Sequence, residues 1–147
     1  MIRNVIFLLL FFASCTSKQK EQLPIIYLTE AGAIGGYDPV AFFTEQQPVK
    51  GTKDLTYTWQ DAAWHFSNAN NLEAFKAAPE KYAPQYGGYC AYGTADGHLS
   101  PTQPETWTIL DDKLYFNYNM AVKEKWSGNQ KNYIEQADKN WPGLSGK

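Results

Sequence analysis

Two stretches of this chain leave it little choice but to make β-hairpins. Leu55 to Trp59 (LTYTW) and Ala63 to Phe66 are short runs of β-branched, aromatic and small residues, and only Gln60 to Ala62 separates them. Trp107 to Leu110 (WTIL) and Leu114 to Phe116 (LYF) repeat the arrangement around a turn at Asp111-Asp112. Neighbouring runs this close pair antiparallel, because a parallel partner needs a crossover of a dozen residues or more. A helix is expected after each pair. Ser67 or Asn68 caps the first, Ala69 to Ala77, with Leu72 and Phe75 on one face. The polar stretch Asn117 to Asn119 leads into the second, Met120 to Trp126. Shifted by fifty residues, Trp64-His65-Phe66 overlies Leu114-Tyr115-Phe116 and Asp61 overlies Asp111. With one inserted residue, Lys81-Tyr82 overlies Asn132-Tyr133. The chain therefore predicts a single small α+β domain over 24–147: two β-hairpins, each followed by helix, packed together.

The remaining elements are shorter. Ile25 to Leu28 suits a strand and Ala33 to Tyr37 a glycine turn. Asp38-Pro39 opens a short helix through Phe43, an acidic cap followed by Pro at the first helical position. Pro79 starts one more helical turn through Tyr82, and a last helix, Lys131 to Asn140, is expected to stop at Trp141-Pro142-Gly143.

The N-terminus has a separate logic. Arg3 precedes an apolar run, Val5 to Phe12, too short to cross a hydrocarbon core that takes about 20 residues. A positive start, a short apolar core and small residues before a cut mark an export signal. Phe12-Ala13-Ser14-Cys15 resembles the lipobox of bacterial lipoproteins, in which the cysteine receives acyl chains such as palmitate and becomes the new N-terminus. On this reading 1–14 is a signal peptide and 15–23 a polar tether lipidated at Cys15. The protein is then anchored in the bacterial cell envelope, on the periplasmic side or at the outer membrane, since two acyl chains suffice for stable anchoring.

Charge excludes some partners. Arg3 is the only arginine, so the exported chain carries 12 lysines against 15 acidic residues. A net charge of −3 with no guanidinium is the wrong footing for nucleic acid. No nucleophile elbow, phosphate loop or metalloprotease helix is present. Gly32 to Gly36 is glycine-rich but precedes no long helix of the right spacing.

Cysteine is more informative. With Cys15 taken by lipid, Cys90 is the sole thiol, and no intramolecular disulfide can form. It lies among glycines and tyrosines (Tyr86-Gly87-Gly88-Tyr89-Cys90-Ala91-Tyr92-Gly93), where glycine lets other groups approach closely. Two readings stay open: a reactive thiol, or a buried cysteine acting as a small apolar residue. His65, flanked by Trp64 and Phe66, faces away from both, towards solvent or a cleft. His98 is in a loop eight residues beyond Cys90. By ligand type, Cys90, His65 and His98 would suit a copper or zinc ion.

The motifs Asp38-Pro39-Val40, Trp64-His65-Phe66-Ser67, Phe75 and Pro79-Glu80-Lys81-Tyr82 resemble the YHS domain. The fuller likeness is to the stand-alone exported YHS family that includes selenoproteins. Ala33 to Ala41, Tyr82 to Ala91 and Trp141-Pro142 carry it, and it covers Ile25 to Leu144. That family implies an association with heavy metals, and the domain also occurs in copper-transporting ATPases and some oxygenases. The cysteines of its metal-binding members would fall at Ala41, Ser67 and Asn71, none of them a soft ligand. The resemblance also implies selenocysteine in relatives at the position of Cys90, and so redox or metal chemistry there. The expected function is handling of a soft metal ion or thiol redox chemistry through Cys90, with a metal ion or small thiol as partner. The alternative is a non-catalytic binding or scaffold module in which Cys90 is structural.

Overall fold

The computed structural model describes residues 24–146. The signal peptide expected over 1–14, Cys15 and the tether expected through residue 23 lie outside the described residues, as does Lys147. The elements are β1 (Leu28–Thr29), β2 (Gly32–Ala33), α1 (Ala41–Thr44), β3 (Thr52–Trp59), β4 (Ala62–Phe66), α2 (Ala69–Ala77), α3 (Pro79–Tyr82), α4 (Ala91–Ala95), β5 (Thr108–Leu110), β6 (Lys113–Tyr115), α5 (Met120–Ser127) and α6 (Gln130–Ser145). This is one small α+β domain. Among the described residues the strands form three separate antiparallel hairpins, β1-β2, β3-β4 and β5-β6.

The two larger hairpins close in the same way. Trp59 faces Ala62 and Leu110 faces Lys113 across two-residue loops. Gln60 and Asp61 (φ +50° and +57°) match Asp111 and Asp112 (φ +49° and +57°). Two left-handed residues in a row make the turn whose twist suits paired strands. Helix capping repeats too. The Asn68 side chain accepts the N–H of Asn71, and Asn119 accepts that of Val122, both at 2.9 Å. Each such cap stabilises its helix by about 1 kcal/mol.

Alternation then divides the residues between core and solvent. Trp64 and Phe66 of β4, Leu114 of β6 and Phe75 of α2 are fully buried, around Phe42 and beside Phe116. A second cluster forms around Trp126 of α5, with Tyr86, Tyr115 and Ala137 of α6. Phe75 and Trp126, 51 residues apart, thus anchor one cluster each.

The duplication reaches further than the hairpins. Ile34, Gly35 and Gly36 have φ of +45°, +71° and +74°; 52 residues on, Tyr86, Gly87 and Gly88 have +55°, +61° and +88°. Each left-handed triplet is followed by a tyrosine, a capping residue (Asp38 or Cys90) and a short helix (α1 or α4). Gly-Gly-Tyr at 35–37 and 87–89 was the available sequence signal. Each half is therefore a left-handed turn, a capped short helix, a hairpin and an Asn-capped helix.

Three expectations need correction. Ile25 to Leu28 is not a strand; only Leu28–Thr29 pairs, while Ile26 is buried and the Tyr27 N–H bonds Gly87 O at 2.9 Å. Helix α1 starts at Ala41 because the Asp38 carboxylate holds the N–H groups of Val40 and Ala41 ahead of it. Helix α6 runs from Gln130 through Pro142 to Ser145. Pro142 forfeits one backbone bond, and the helix stops at Gly146, whose left-handed φ of +71° supplies the terminus.

Gly87 fixes the second turn. A Cβ there would run into the Ile25 carbonyl, whereas Gly97, also left-handed at φ +86°, opens on free space. We expect Gly97→Ala to cost about 1–2 kcal/mol and Gly87→Ala at least about 3 kcal/mol. Urea unfolding of the two variants checks this.

Candidate functional site

Cys90 follows the second left-handed turn and caps α4. Its N–H donates to Ser100 O at 3.1 Å and it bridges Phe116 in parallel, which fixes the backbone on both sides. The sulfur accepts the Gly93 N–H at 3.3 Å, and the thiol lies 3.6 Å from Asn117 Oδ1. Cys90 is 1% exposed. Burial pushes its pKa up; the N–H groups of Gly93, Tyr118 and Tyr92 pull the other way and are outweighed. The unliganded thiol is thus held in its protonated form, the poorer nucleophile.

Beside it is a shallow depression of about 240 Å³, lined by Cys90, Gly93, His98, Ser100, Tyr118 and Val122 among others. His98 is an exposed wall residue, with Nδ1 3.6 Å from Asp96. Its Nε2 is 3.2 Å from where a Cβ on Gly93 would stand, so glycine at 93 is what lets the imidazole approach. Tyr118, half exposed, forms part of the rim.

The Asn117 amide completes the surroundings. Its Oδ1 accepts the Tyr92 N–H at 3.2 Å and faces the thiol, which fixes the orientation of the amide. Its Nδ2 is fully buried, with no hydrogen-bond partner among the described residues. An orphan of this kind costs about 1–3 kcal/mol, and orphans collect where function overrides stability.

His65 is elsewhere. It is 8% exposed, with Nδ1 2.8 Å from Thr56 Oγ1. That hydroxyl gives its one proton to Lys53 O at 2.7 Å, so Nδ1 carries the hydrogen and Thr56 accepts it. The ring lies under β2: Nε2 is 2.9 Å from where a Cβ on Gly32 would stand. The expected view onto solvent or a cleft is therefore closed by the small first hairpin. Cys90 and His98 share a depression and His65 does not line it. Among the described residues no group of three or more His, Cys, Asp and Glu is placed to hold a metal ion.

The first half shows what the same position looks like when closed. Asp38, the counterpart of Cys90, is fully buried. Its Oδ1 accepts the N–H groups of Val40 and Ala41 (2.9 and 3.2 Å). Its Oδ2 accepts the Ser67 N–H, the Ser67 hydroxyl and Asn71 Nδ2 (2.8, 2.7 and 2.7 Å). Ala41, Ser67 and Asn71 stand where the YHS resemblance would put cysteines; here they build a hydrogen-bonded knot. Their counterparts in the second half, 51 residues on for Ser67 and Asn71, are Tyr118 and Val122, and these flank an opening instead. Sequence reading missed Asp38 as a centre because all it showed was a helix cap.

Comparison with protein-family models, with curated proteins and with solved structures finds no match.

Raising the Cys90 pKa in the folded state has a definite sign. The stabilisation is complete below the ordinary value of 9.0 and is lost as pH rises above it, because the unfolded chain ionises first. Between about pH 8 and pH 10.5, wild type should lose more stability than Cys90→Ala. Denaturant titrations at both pH values measure the difference; equal losses would remove burial as the dominant influence on this thiol.

Proposed function

We propose that the protein is a lipid-anchored, YHS-type binding module of the bacterial cell envelope. Its site is the depression over Cys90, and its occupant is a soft metal ion bound through the Cys90 sulfur and His98. One observation carries the reading: a soft sulfur donor and an imidazole line the same depression, at the position that the first half closes with Ser67 and Asn71. Copper(I) suits this donor set better than zinc. Thiolate is the ligand that favours copper(I), whereas zinc sites take three or four protein ligands. The backbone N–H groups around the sulfur would steady it once the metal has displaced its proton.

Thiol redox chemistry has less support, since a buried thiol held protonated attacks slowly. A second reading keeps its place on that same burial: Cys90 as packing, in a module that binds nothing at this point.

Copper(I) titration against a competing chelator separates the two. On the proposal, affinity rises with pH, because binding releases the Cys90 proton. It disappears in Cys90→Ala, falls by about tenfold or more in His98→Ala and is unchanged in His65→Ala. Equal copper(I) affinity in wild type and Cys90→Ala would leave the packing reading. The anchor has its own test: Cys15→Ser should release the protein from the membrane fraction, and retention there would discount lipidation at Cys15.

A further inference from the structure

A second cleft, remote from Cys90 in its lining, carries an inference that does not rest on the metal reading. It has a volume of about 260 Å³ and runs between the turn of the β3-β4 hairpin and the C-terminal helix α6. Trp59, Gln60, Glu80, Gln85 and Trp141 are among its lining residues. Both indoles are half-buried and are held from behind. Trp59 packs on Trp64 and Phe75, with ring centroids 6.0 and 5.9 Å away. Trp141 packs on Tyr86 at 5.9 Å, and the Tyr86 hydroxyl donates to Asp138 Oδ1 at 2.8 Å on the same helix. The rings are set before any ligand arrives, so binding would not have to order them.

The polar groups of the cleft indicate what would fit. Gln60 and Glu80 are exposed, and Gln85 and the two tryptophans are partly exposed, so their polar groups are open to a ligand. Together they offer donors (indole N–H, amide NH₂) and acceptors (amide oxygen, carboxylate) in one place. A bound cation would use Glu80 and leave the donors unmatched. Hydroxyls are both donor and acceptor and can meet every one of these groups. Fixed indole faces, in turn, suit the C–H face of a sugar ring. At about 260 Å³ the cleft is just below the ~300–1,000 Å³ range of drug-sized pockets, which suits a mono- or disaccharide. The equivalent cleft of the second half, lined by Leu110, Asp111 and Lys131 at the counterpart positions, has lost the tryptophan and gained a cation.

We propose that the Trp59–Trp141 cleft binds a neutral saccharide, stacked on the two indoles and hydrogen-bonded by Gln60, Glu80 and Gln85. The test is calorimetry and tryptophan fluorescence of the intact protein with maltose, cellobiose and N,N′-diacetylchitobiose, with choline as the cationic probe. At least one disaccharide should bind with a dissociation constant on the order of 0.1–10 mM. Trp141→Ala and Glu80→Ala should each weaken it by about tenfold or more, and Lys131→Ala in the sister cleft should leave it unchanged. If Trp141→Ala loses its cooperative melt, the surface double variant Glu80→Ala with Gln85→Ala decides in its place. Silence of all three disaccharides up to about 50 mM, binding of choline alone, or binding that survives the cleft variants each overturns the proposal.

Discussion

A single buried carboxylate ties the first half together. Asp38 takes five hydrogen bonds from partners that are 2, 3, 29 and 33 residues away in sequence. It joins the start of α1 to the end of β4 and to the first turn of α2, so hairpin and helices share one fixed corner. A buried polar group without a partner costs about 1–3 kcal/mol. Removing this acceptor would strand several donors at once, in a region where Val40, Ala41 and Phe66 have no access to water. The aromatic cluster beneath, Phe42, Trp64, Phe66 and Phe75, supplies the apolar driving force. The carboxylate decides how the elements covering it are oriented.

What could be read in advance followed from rules of short range. The turn at Asp111-Asp112 and the helix over Ala69–Ala77 depend on neighbours within a few residues, and the sequence predicts them closely. The turn expected over Gln60 to Ala62 is one residue shorter, because Ala62 pairs with Trp59. Helix α5 came within one residue of its end. What escaped depends on distant partners. The Asp38 knot needs Ser67 and Asn71 brought from 29 and 33 residues away, and no local pattern announces that. His65 was expected to look outwards on strand alternation alone, but Gly32, far away in sequence, lies over its ring. The strand expected at Ile25 to Leu28 was lost because Tyr27 found Gly87 as partner. At the candidate site, Cys90 and His98 were legible as residue types within one loop's reach. The orphaned Asn117 amide and the opening flanked by Tyr118 and Val122 were not.

The two halves show how one scaffold can carry different chemistry. A left-handed turn, a capping residue and a hairpin place a side chain at the same point twice, once as a carboxylate and once as a thiol. The first is sealed by Ser67 and Asn71. The second is bordered by Tyr118 and Val122, which line a depression instead. The same divergence separates the two clefts under the hairpin turns, where Trp59 and Glu80 answer to Leu110 and Lys131. Stability and binding can then be divided, the closed copy holding the fold while the open copy tolerates an unsatisfied amide.

The Tyr89 hydroxyl donates to the carbonyl of Pro24 at 2.8 Å. This ties the first described residue to the side chain of the residue that precedes Cys90, nine residue steps along the sequence from Cys15. Nine residues of chain reach at most about 30 Å. If Cys15 carries lipid as proposed, the domain is confined to a thin shell above the bilayer and cannot diffuse across the wider compartment. Donors and acceptors of its cargo would then have to come to that shell, which favours exchange with other membrane-bound proteins over exchange with the bulk fluid.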